Sequence, residues 1–325
     1  MGFIDGIKAR AKEDMKTIVL PESYDMRVIE AASKIEKEKL AKVILIGDPE
    51  DIAKSAAGYD LTGVEIVNPE TYGKLDDFIV QFYELRKRKG MTLNDARRIL
   101  TSNFLFFGCM MVKMGLADGM VGGCTTPTAN LLRPSLQILK TAPDSKLVSA
   151  FFVLDVPNCE FGADGVFIFS DAGLNQNPTS EELAHIAYDS AKTFETLVGK
   201  KPITAMLSHS TMGSASHPDV DKVRRGVEFA HEFYPDLLVD GELCSSFRVE
   251  WRKTSCYLIC VHELFALPYL RQHCQRSRCF PGSITARNYI QCLLHDFAKV
   301  HRFMLQNYDI FSIPPNFRLK NLRIW

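Results

Sequence analysis

Tryptophan is missing from residues 1–243, while residues 244–325 hold a single glycine, Gly282, and four acidic side chains. No run of about 18 apolar residues occurs, which argues against a helical membrane span. Neither GxGxxG nor GxxxxGK followed by Ser or Thr is present, so the sequence supports neither a dinucleotide fingerprint nor a phosphate-binding P-loop. The start, Met1 to Lys8, lacks the basic-then-apolar pattern of a signal peptide. Asp5 and Gly6 make a poor myristoylation context, and a cytoplasmic location is expected. Residues 1–243 carry only three cysteines, Cys109, Cys124 and Cys159, read as reduced thiols in or near a core. A hydrophobic content of 46% with 24% charged residues is normal for a globular chain and excludes global disorder.

The formal charge of zero conceals two opposite halves. Residues 1–243 hold 27 Lys+Arg against 35 Asp+Glu, and 19 of the 20 glycines. Residues 244–325 hold 12 Lys+Arg against 4 Asp+Glu, six of the nine cysteines and both tryptophans. The break follows Gly241-Glu242-Leu243.

Up to that break, strand-like and helix-like segments alternate. Strands are expected at 17–20, 41–47, 64–67, 117–123, 146–154, 166–170, 204–208 and 237–240, the last of them. Helices are expected at 26–40, 76–88, 93–100 (with Thr92 as N-cap), 128–140 and 219–233. Another long helix opens at Thr179, with Glu182 three residues on as a capping box. This alternation predicts an α/β fold with mostly parallel sheets. The expected divisions are an N-terminal α/β domain at 1–145, a second α/β domain at 146–243, and a tail at 244–325.

In open α/β sheets, ligands bind beyond the carboxyl ends of strands. Two segments fit. One is Gly122 to Pro134, with Gly122, Gly123, Thr125 and Thr126 before a helix and Arg133 a turn or so later. The other is Leu207 to His217, with Ser208, Ser210, Thr211, Gly213 and Ser214. Glycines let a backbone approach a ligand, and hydroxyls suit an anion. Each also fits plain turn chemistry, and Arg133 fits a surface ion pair. The run Arg86-Lys87-Arg88-Lys89 fits a polyanion site or a solvated helix face.

These segments carry a resemblance. Leu20-Pro21-Glu22 with Arg27, Ala117 to Gly123, Leu132 to Gln137, Asn177-Pro178-Thr179, Ala205 to Ser208, Ser210 to Ser214, Asp219 to Arg224 and Pro235 to Leu243 are similar to motifs of the phosphate acetyl/butyryltransferase family, in particular phosphate acetyltransferase (phosphotransacetylase). The resemblance covers about three quarters of the chain. It implies an acyltransferase that interconverts acetyl-CoA plus phosphate with acetyl phosphate plus CoA. No metal and no permanently bound cofactor are implied, CoA and acetyl-CoA being substrates. It further implies two α/β domains around an interdomain cleft, usually in a homodimer, with no nucleic-acid or membrane partner. In the family a carboxylate takes the thiol proton of CoA, and the thiolate attacks the acetyl carbonyl. A serine and arginines hold the phosphate. Arg133 matches one family arginine, and Arg86, in Tyr83-Glu84-Leu85-Arg86-Lys87, is similar to another. Substrate-binding roles thus fall on Arg86, Thr125, Thr126, Arg133, Ser208, Ser210, Thr211, Gly213 and Ser214. The alternatives are a phosphate butyryltransferase-type acyltransferase and a non-catalytic CoA- or phosphate-binding protein.

Nothing after Leu243 resembles the family's C-terminal motif, Asn-Asp-Leu-Ser-Arg-Gly followed by an acidic residue, and Arg287 takes no role. No catalytic residue is therefore assigned. A zinc module in the tail would use Cys256, Cys260, His262, His273, Cys274 and Cys279, but only Cys256-x₃-Cys260 has structural-zinc spacing. A nucleic-acid-binding tail would need basic and aromatic residues in a pattern that is lacking. The favoured reading is out-of-frame translation. Taking the last two bases of each codon with the first of the next, Leu270 to Gln275 can hide Ser-Gly-Asn-Ile-Ala, and Ala266 to Leu270 can supply Pro-Ser-Leu-Thr before it. The family has a Phe-Pro-x-Leu-x-Ser/Ala-Gly-Asn-Ile string in this region. The chain as written is then expected to be inactive and poorly soluble.

Overall fold

The computed structural model describes residues 2–156, 159 and 162–243, and the backbone of Leu258–Val261. The chain divides into two compact units, Met1–Ala142 and Pro143–Trp325, against the expected division at 145/146.

In the first unit α1 (Phe3–Glu13) leads into β1 (Thr17–Leu20), α2 (Met26–Glu38), β2 (Lys42–Ile46), α3 (Pro49–Ser55) and β3 (Glu65–Val67). Then come α4 (Leu75–Arg86), α5 (Leu93–Ser102), α6 (Phe104–Lys113), β4 (Gly119–Met120) and α7 (Thr128–Pro134), which runs into a π-helical turn at Ser135–Leu139. The sheet is parallel throughout, in the order β3-β2-β1-β4. The chain therefore winds outward from β1 through β3, then returns to lay β4 on the other side of β1. That reversal makes the carboxyl ends of β1 and β4 the topological switch point, where such sheets bind ligands.

Strand side chains alternate between the two faces. Ile44 and Ile46 join Val19, Phe78, Phe82, Phe107, Met110 and Ile138 in one core. Val43 and Leu45 join Val28, Ile29, Ala32 and Ile52 on the other face. A strand buried on both faces reads as a continuous apolar run, and Val43–Ile46 of β2 does. The larger core is aromatic at its centre, with the Phe78 and Phe107 rings 5.2 Å apart and Tyr72 edge-on to Phe107 at 5.4 Å. Caps fix the helix starts: Asp25 for α2, Asp48 with Pro49 for α3, Thr92 with Asp95 for α5, and Asn103 for α6. Thr92 was expected; α6 was not. Its sequence, Phe104 to Lys113, is apolar on every side and so has no amphipathic period. Gly108 lets it lie against the sheet, because a Cβ there would sit 2.7 Å from Met120 Sδ and 3.2 Å from Val19 Cγ1.

The second unit contains β5 (Phe151–Asp155), β6 (Val166–Ser170), α8 (Ser180–Val198), β7 (Thr204–Leu207), α9 (Pro218–Phe233), β8 (Val239–Leu243) and β9 (Leu258–Val261). The sheet order is β5-β6-β9-β7-β8, parallel except for the β5–β6 pair. Thr179 caps α8 in a box with Glu182, as the sequence predicts. Leu183, Ile186 and Ala187 of α8 pack with Met206, Val223, Val227 and Ala230. The sequence reading ends its strands at 240, and the structure adds β9. Leu258-Ile259-Cys260-Val261 is a short apolar run of the kind that fills a buried parallel strand. That local signal stood in a stretch whose composition argued against continuing the fold.

Three expected strands are displaced or shortened. The segment 117–123 pairs only at Gly119–Met120, 146–154 becomes Phe151–Asp155, and 237–240 becomes Val239–Leu243. Glycines at 119, 122 and 123 leave little side chain to pack at β4.

Candidate functional site

At the switch point the chain leaves β1 through Leu20-Pro21-Glu22. Glu22 is 2% exposed, and its carboxylate faces the turn that follows β4. The N–H groups of Gly123 and Cys124 donate to Oε2, each at 2.7 Å, and those of Thr125 and Thr126 donate to Oε1 at 3.0 and 2.9 Å. The Thr125 hydroxyl donates to Oε1 as well, at 3.0 Å. Gly123, at φ +104°, supplies the left-handed step that curls these amides inward. Burial pushes the Glu22 carboxyl up, but the hydrogen bonds from Thr125, Cys124 and Thr126 outweigh it and hold its pKa at about 2.

The backbone amides after β4 thus converge on an anion, and that anion is the protein's own carboxylate. Because the Thr125 hydroxyl proton goes to Glu22, Tyr24 is the donor in the 3.0 Å contact between Tyr24 Oη and Thr125 Oγ1. Arg27 closes the other side. It forms a two-pronged pair with Asp25, and its Nη2 donates to the Cys124 carbonyl at 3.2 Å. Burial raises the Cys124 thiol pKa, and the neighbouring Asp25 adds to the rise.

The second candidate loop is organised in the same manner. Ser208 follows β7; its hydroxyl donates to the Ser210 carbonyl and accepts from the Ser210 N–H. Ser210 is fully buried. Its hydroxyl donates to Glu242 Oε1 at 2.9 Å, lies 3.4 Å from Ser214 Oγ, and accepts from the Ala215 N–H. The Gly213 N–H donates to Glu242 Oε1 at 2.7 Å, and the Thr211 N–H donates to Ser214 Oγ at 2.9 Å. Arg224, from α9, donates to Glu242 Oε2 at 3.3 Å. Burial pushes the Glu242 carboxyl up, but the bonds from Gly213, Arg224 and Ser210 outweigh it and leave the group below the ordinary carboxylate range.

Of the side chains picked from the sequence, two arginines differ from the loop residues. Arg133, in the last turn of α7, is exposed and has no hydrogen bond or ion pair among the described residues. Arg86 ends α4, and its Nε is buried with no hydrogen-bond partner. Both belong to the first unit: α4 packs on the π-helical turn into which α7 runs. Glu22, Glu242 and Arg224 carry no role in the sequence reading, although all three lie inside the quoted motifs. A single acidic residue after a strand has no periodicity or spacing to mark it. Among the described residues no three His, Cys, Asp or Glu side chains converge as a metal site, and no helix is long and apolar enough to cross a membrane. The zinc-ligand set considered for the tail lies outside the residues whose side chains are described.

The profile of the family described as phosphate acetyl/butaryl transferase matches residues 2–248. The phosphate acetyltransferase of Thermoanaerobacterium thermosaccharolyticum is 50% identical over 243 residues, 75% of this chain and 74% of that one. That of Acetivibrio thermocellus is 52% identical over 243 residues, 75% and 73% of the two chains. Among solved structures, a phosphotransacetylase from Streptococcus pyogenes superposes with a TM-score of 0.73 at 31% identity, covering 92% of this chain and 98% of that one. The EutD phosphotransacetylase from Staphylococcus aureus gives a TM-score of 0.72 at 30% identity, covering 84% and 86%. With the match running from residue 2 to residue 248, the chain belongs to the phosphate acetyl/butaryl transferase family, a family of acyltransferase enzymes.

Proposed function

We propose that this chain descends from a phosphate acetyltransferase acting on acetyl-CoA, phosphate, acetyl phosphate and CoA, with Arg86 and Arg133 as its anion-holding side chains. The observation that carries the assignment of residues is the unpartnered buried Nε of Arg86. A buried donor without an acceptor costs about 1–3 kcal/mol, a cost that an incoming phosphoryl oxygen removes. Arg133, exposed and without a described partner, adds the second permanent charge, and a guanidinium suits a phosphate through its paired N–H groups. Thr125, Thr126, Ser208, Ser210, Thr211, Gly213 and Ser214 serve as the scaffold of the two loops, since their bonds turn inward. CoA is an exchanging substrate in this reading. The protein is cytoplasmic and homodimeric, and sedimentation of the purified chain checks the latter.

The tail bears on competence. Residues 244–325 contain no Asn-Asp-Leu-Ser-Arg-Gly string, and the family match stops at 248. The group that would deprotonate the CoA thiol is thereby lost, and we read the tail as out of frame. The test is acetyl-CoA formation from acetyl phosphate and CoA. The 325-residue chain should give none, and a chain read in the alternative frame after codon 243 should turn over. Robust turnover by the 325-residue chain refutes the inactivity. The same motif loss favours a second reading, a binding protein for CoA or phosphate. Calorimetric binding without turnover in either frame selects it.

A further inference from the structure

We propose that Glu22 is a positioning residue, a built-in anion that sets the Gly123–Thr126 turn and, through it, the placement of Arg133. The proposal rests on the reading of Arg133 as a phosphate holder. It goes beyond that reading by assigning a task to a carboxylate that touches no substrate.

Three observations carry it. First, the occupancy is chemically specific. A carboxylate only accepts, and five donors from four consecutive residues point at this one. A carboxamide of the same shape would turn an NH₂ group toward amides that are themselves donors. Second, the anchor is close to its effect. The Thr126 amide is fixed on Glu22, and Pro127 follows with φ −57°, an angle its ring locks. The N–H groups of Asn130 and Leu131 then bond to the Pro127 carbonyl at 2.9 and 3.2 Å, and Arg133 lies in the last turn of the same helix. One rigid residue and a short helix therefore separate the anchored amide from the guanidinium. Third, the turn is clamped from the opposite side by Arg27 on the Cys124 carbonyl, so releasing Glu22 frees one jaw of two.

This arrangement also decides what Glu22 does not do. Its lone pairs are filled by donors, and a carboxyl held near pKa 2 is a poor proton acceptor at neutral pH. It cannot take the thiol's proton. The substrate's phosphate in turn cannot enter the amide cradle, because that cradle already holds a carboxylate.

Cys124 provides a reporter in the turn itself. Peptide-resolved iodoacetamide labelling of Cys124 and calorimetric binding of inorganic phosphate are measured on the full chain and on Glu22→Gln, Arg133→Gln and Val19→Ala. Val19, fully buried on β1, controls for general destabilisation. In Glu22→Gln, Cys124 labelling should rise about tenfold through opening of the turn, and phosphate affinity should fall about tenfold. Arg133→Gln should lose phosphate with Cys124 labelling unchanged, and Val19→Ala should move neither readout beyond its unfolded fraction. If Glu22→Gln does not fold, Glu22→Asp, which keeps the charge one methylene short, is read in its place with a smaller change expected. Labelling at the parent rate overturns the proposal. So does raised labelling with unchanged phosphate affinity, because the turn would then not place Arg133. If the parent chain itself takes up no phosphate, the phosphate-holder reading of Arg133 fails, and the labelling arm alone decides whether Glu22 sets the turn.

Discussion

Glu242 stands to the Ser208–Ser214 loop as Glu22 stands to the Gly123–Thr126 turn. Each carboxylate lies just beyond or at the end of a strand and takes donors from the loop after the neighbouring parallel strand, four backbone N–H groups for Glu22 and the Gly213 N–H with the Ser210 hydroxyl for Glu242. Each is almost fully buried. In both units the loop that would attract an external anion is ordered by an internal one.

Acid should therefore unlock both loops. Glu22 and Glu242 have folded pKa values below the ordinary 4.5, Glu22 at about 2. A depressed carboxylate stabilises the fold above its unfolded pKa and loses that contribution as pH falls through the folded value. Thermal melts between pH 5 and 2 should show Tm dropping across this window (roughly two units wide for Glu22), and Glu22→Gln should show a shallower drop. Equal slopes in the two proteins would refute the linkage.

Removing the Glu22 carboxylate altogether leaves four amides without their acceptor, those of half-buried Cys124 and Thr126 and of exposed Gly123 and Thr125. Glu22→Ala should cost about 1–3 kcal/mol, the range for leaving hydrogen-bonding groups without their partner. Urea titration of the parent and variant reads this directly, and a loss under about 0.5 kcal/mol, the range of ordinary surface substitutions, would mean that water replaces the carboxylate.

Gly108 brings α6 so close to the sheet that a Cβ there would make Met120, Val19 and Ile46 give way. Gly108→Ala should destabilise the first unit by about 1–3 kcal/mol through overpacking against Met120, Val19 and Ile46. Gly6→Ala, where an added Cβ meets no atom within 4 Å, is the comparison. Gly6→Ala should hold or raise Tm, since Ala favours a helix over Gly, and a fall in Tm confined to Gly108→Ala supports the close approach.

Cys109 and Cys124 should separate under native alkylation. Burial pushes the Cys109 thiol up to about 11, opposed only by its contact with Ser135, and its side chain is fully enclosed by α6 and its neighbours. Its labelling should wait for global unfolding, whereas Cys124 should label from the native state. Mass spectrometry of the two peptides over time distinguishes them; simultaneous labelling would count against the packing of α6.

The sequence reading went furthest where a residue's neighbours in the chain determine its structure. Val43–Ile46 is an unbroken apolar run because both faces of β2 are covered there, and Thr179 with Glu182 is a capping box whose partners are three residues apart. It went less far where the deciding contacts are remote. Phe104 to Lys113 has no period because α6 is enclosed on all sides. Glu22 meets its donors about a hundred residues downstream, so no local pattern could show that Thr125 and Thr126 already have an acceptor. The two arginines were legible as charges; that Arg86 buries an unpartnered Nε depends on packing at the end of α4.

The order in which the second sheet is assembled follows from the place of β9. During synthesis β6, β7 and β8 are all made before residue 258 leaves the ribosome, yet β9 must enter between β6 and β7. Until then two inner strand edges have no mate, and one of them, β6, is buried along its entire length once folded. Unmated edges of apolar strands pair with whatever chain is nearest. In this chain the two edges are closed by four residues that lie beyond the reach of the family match.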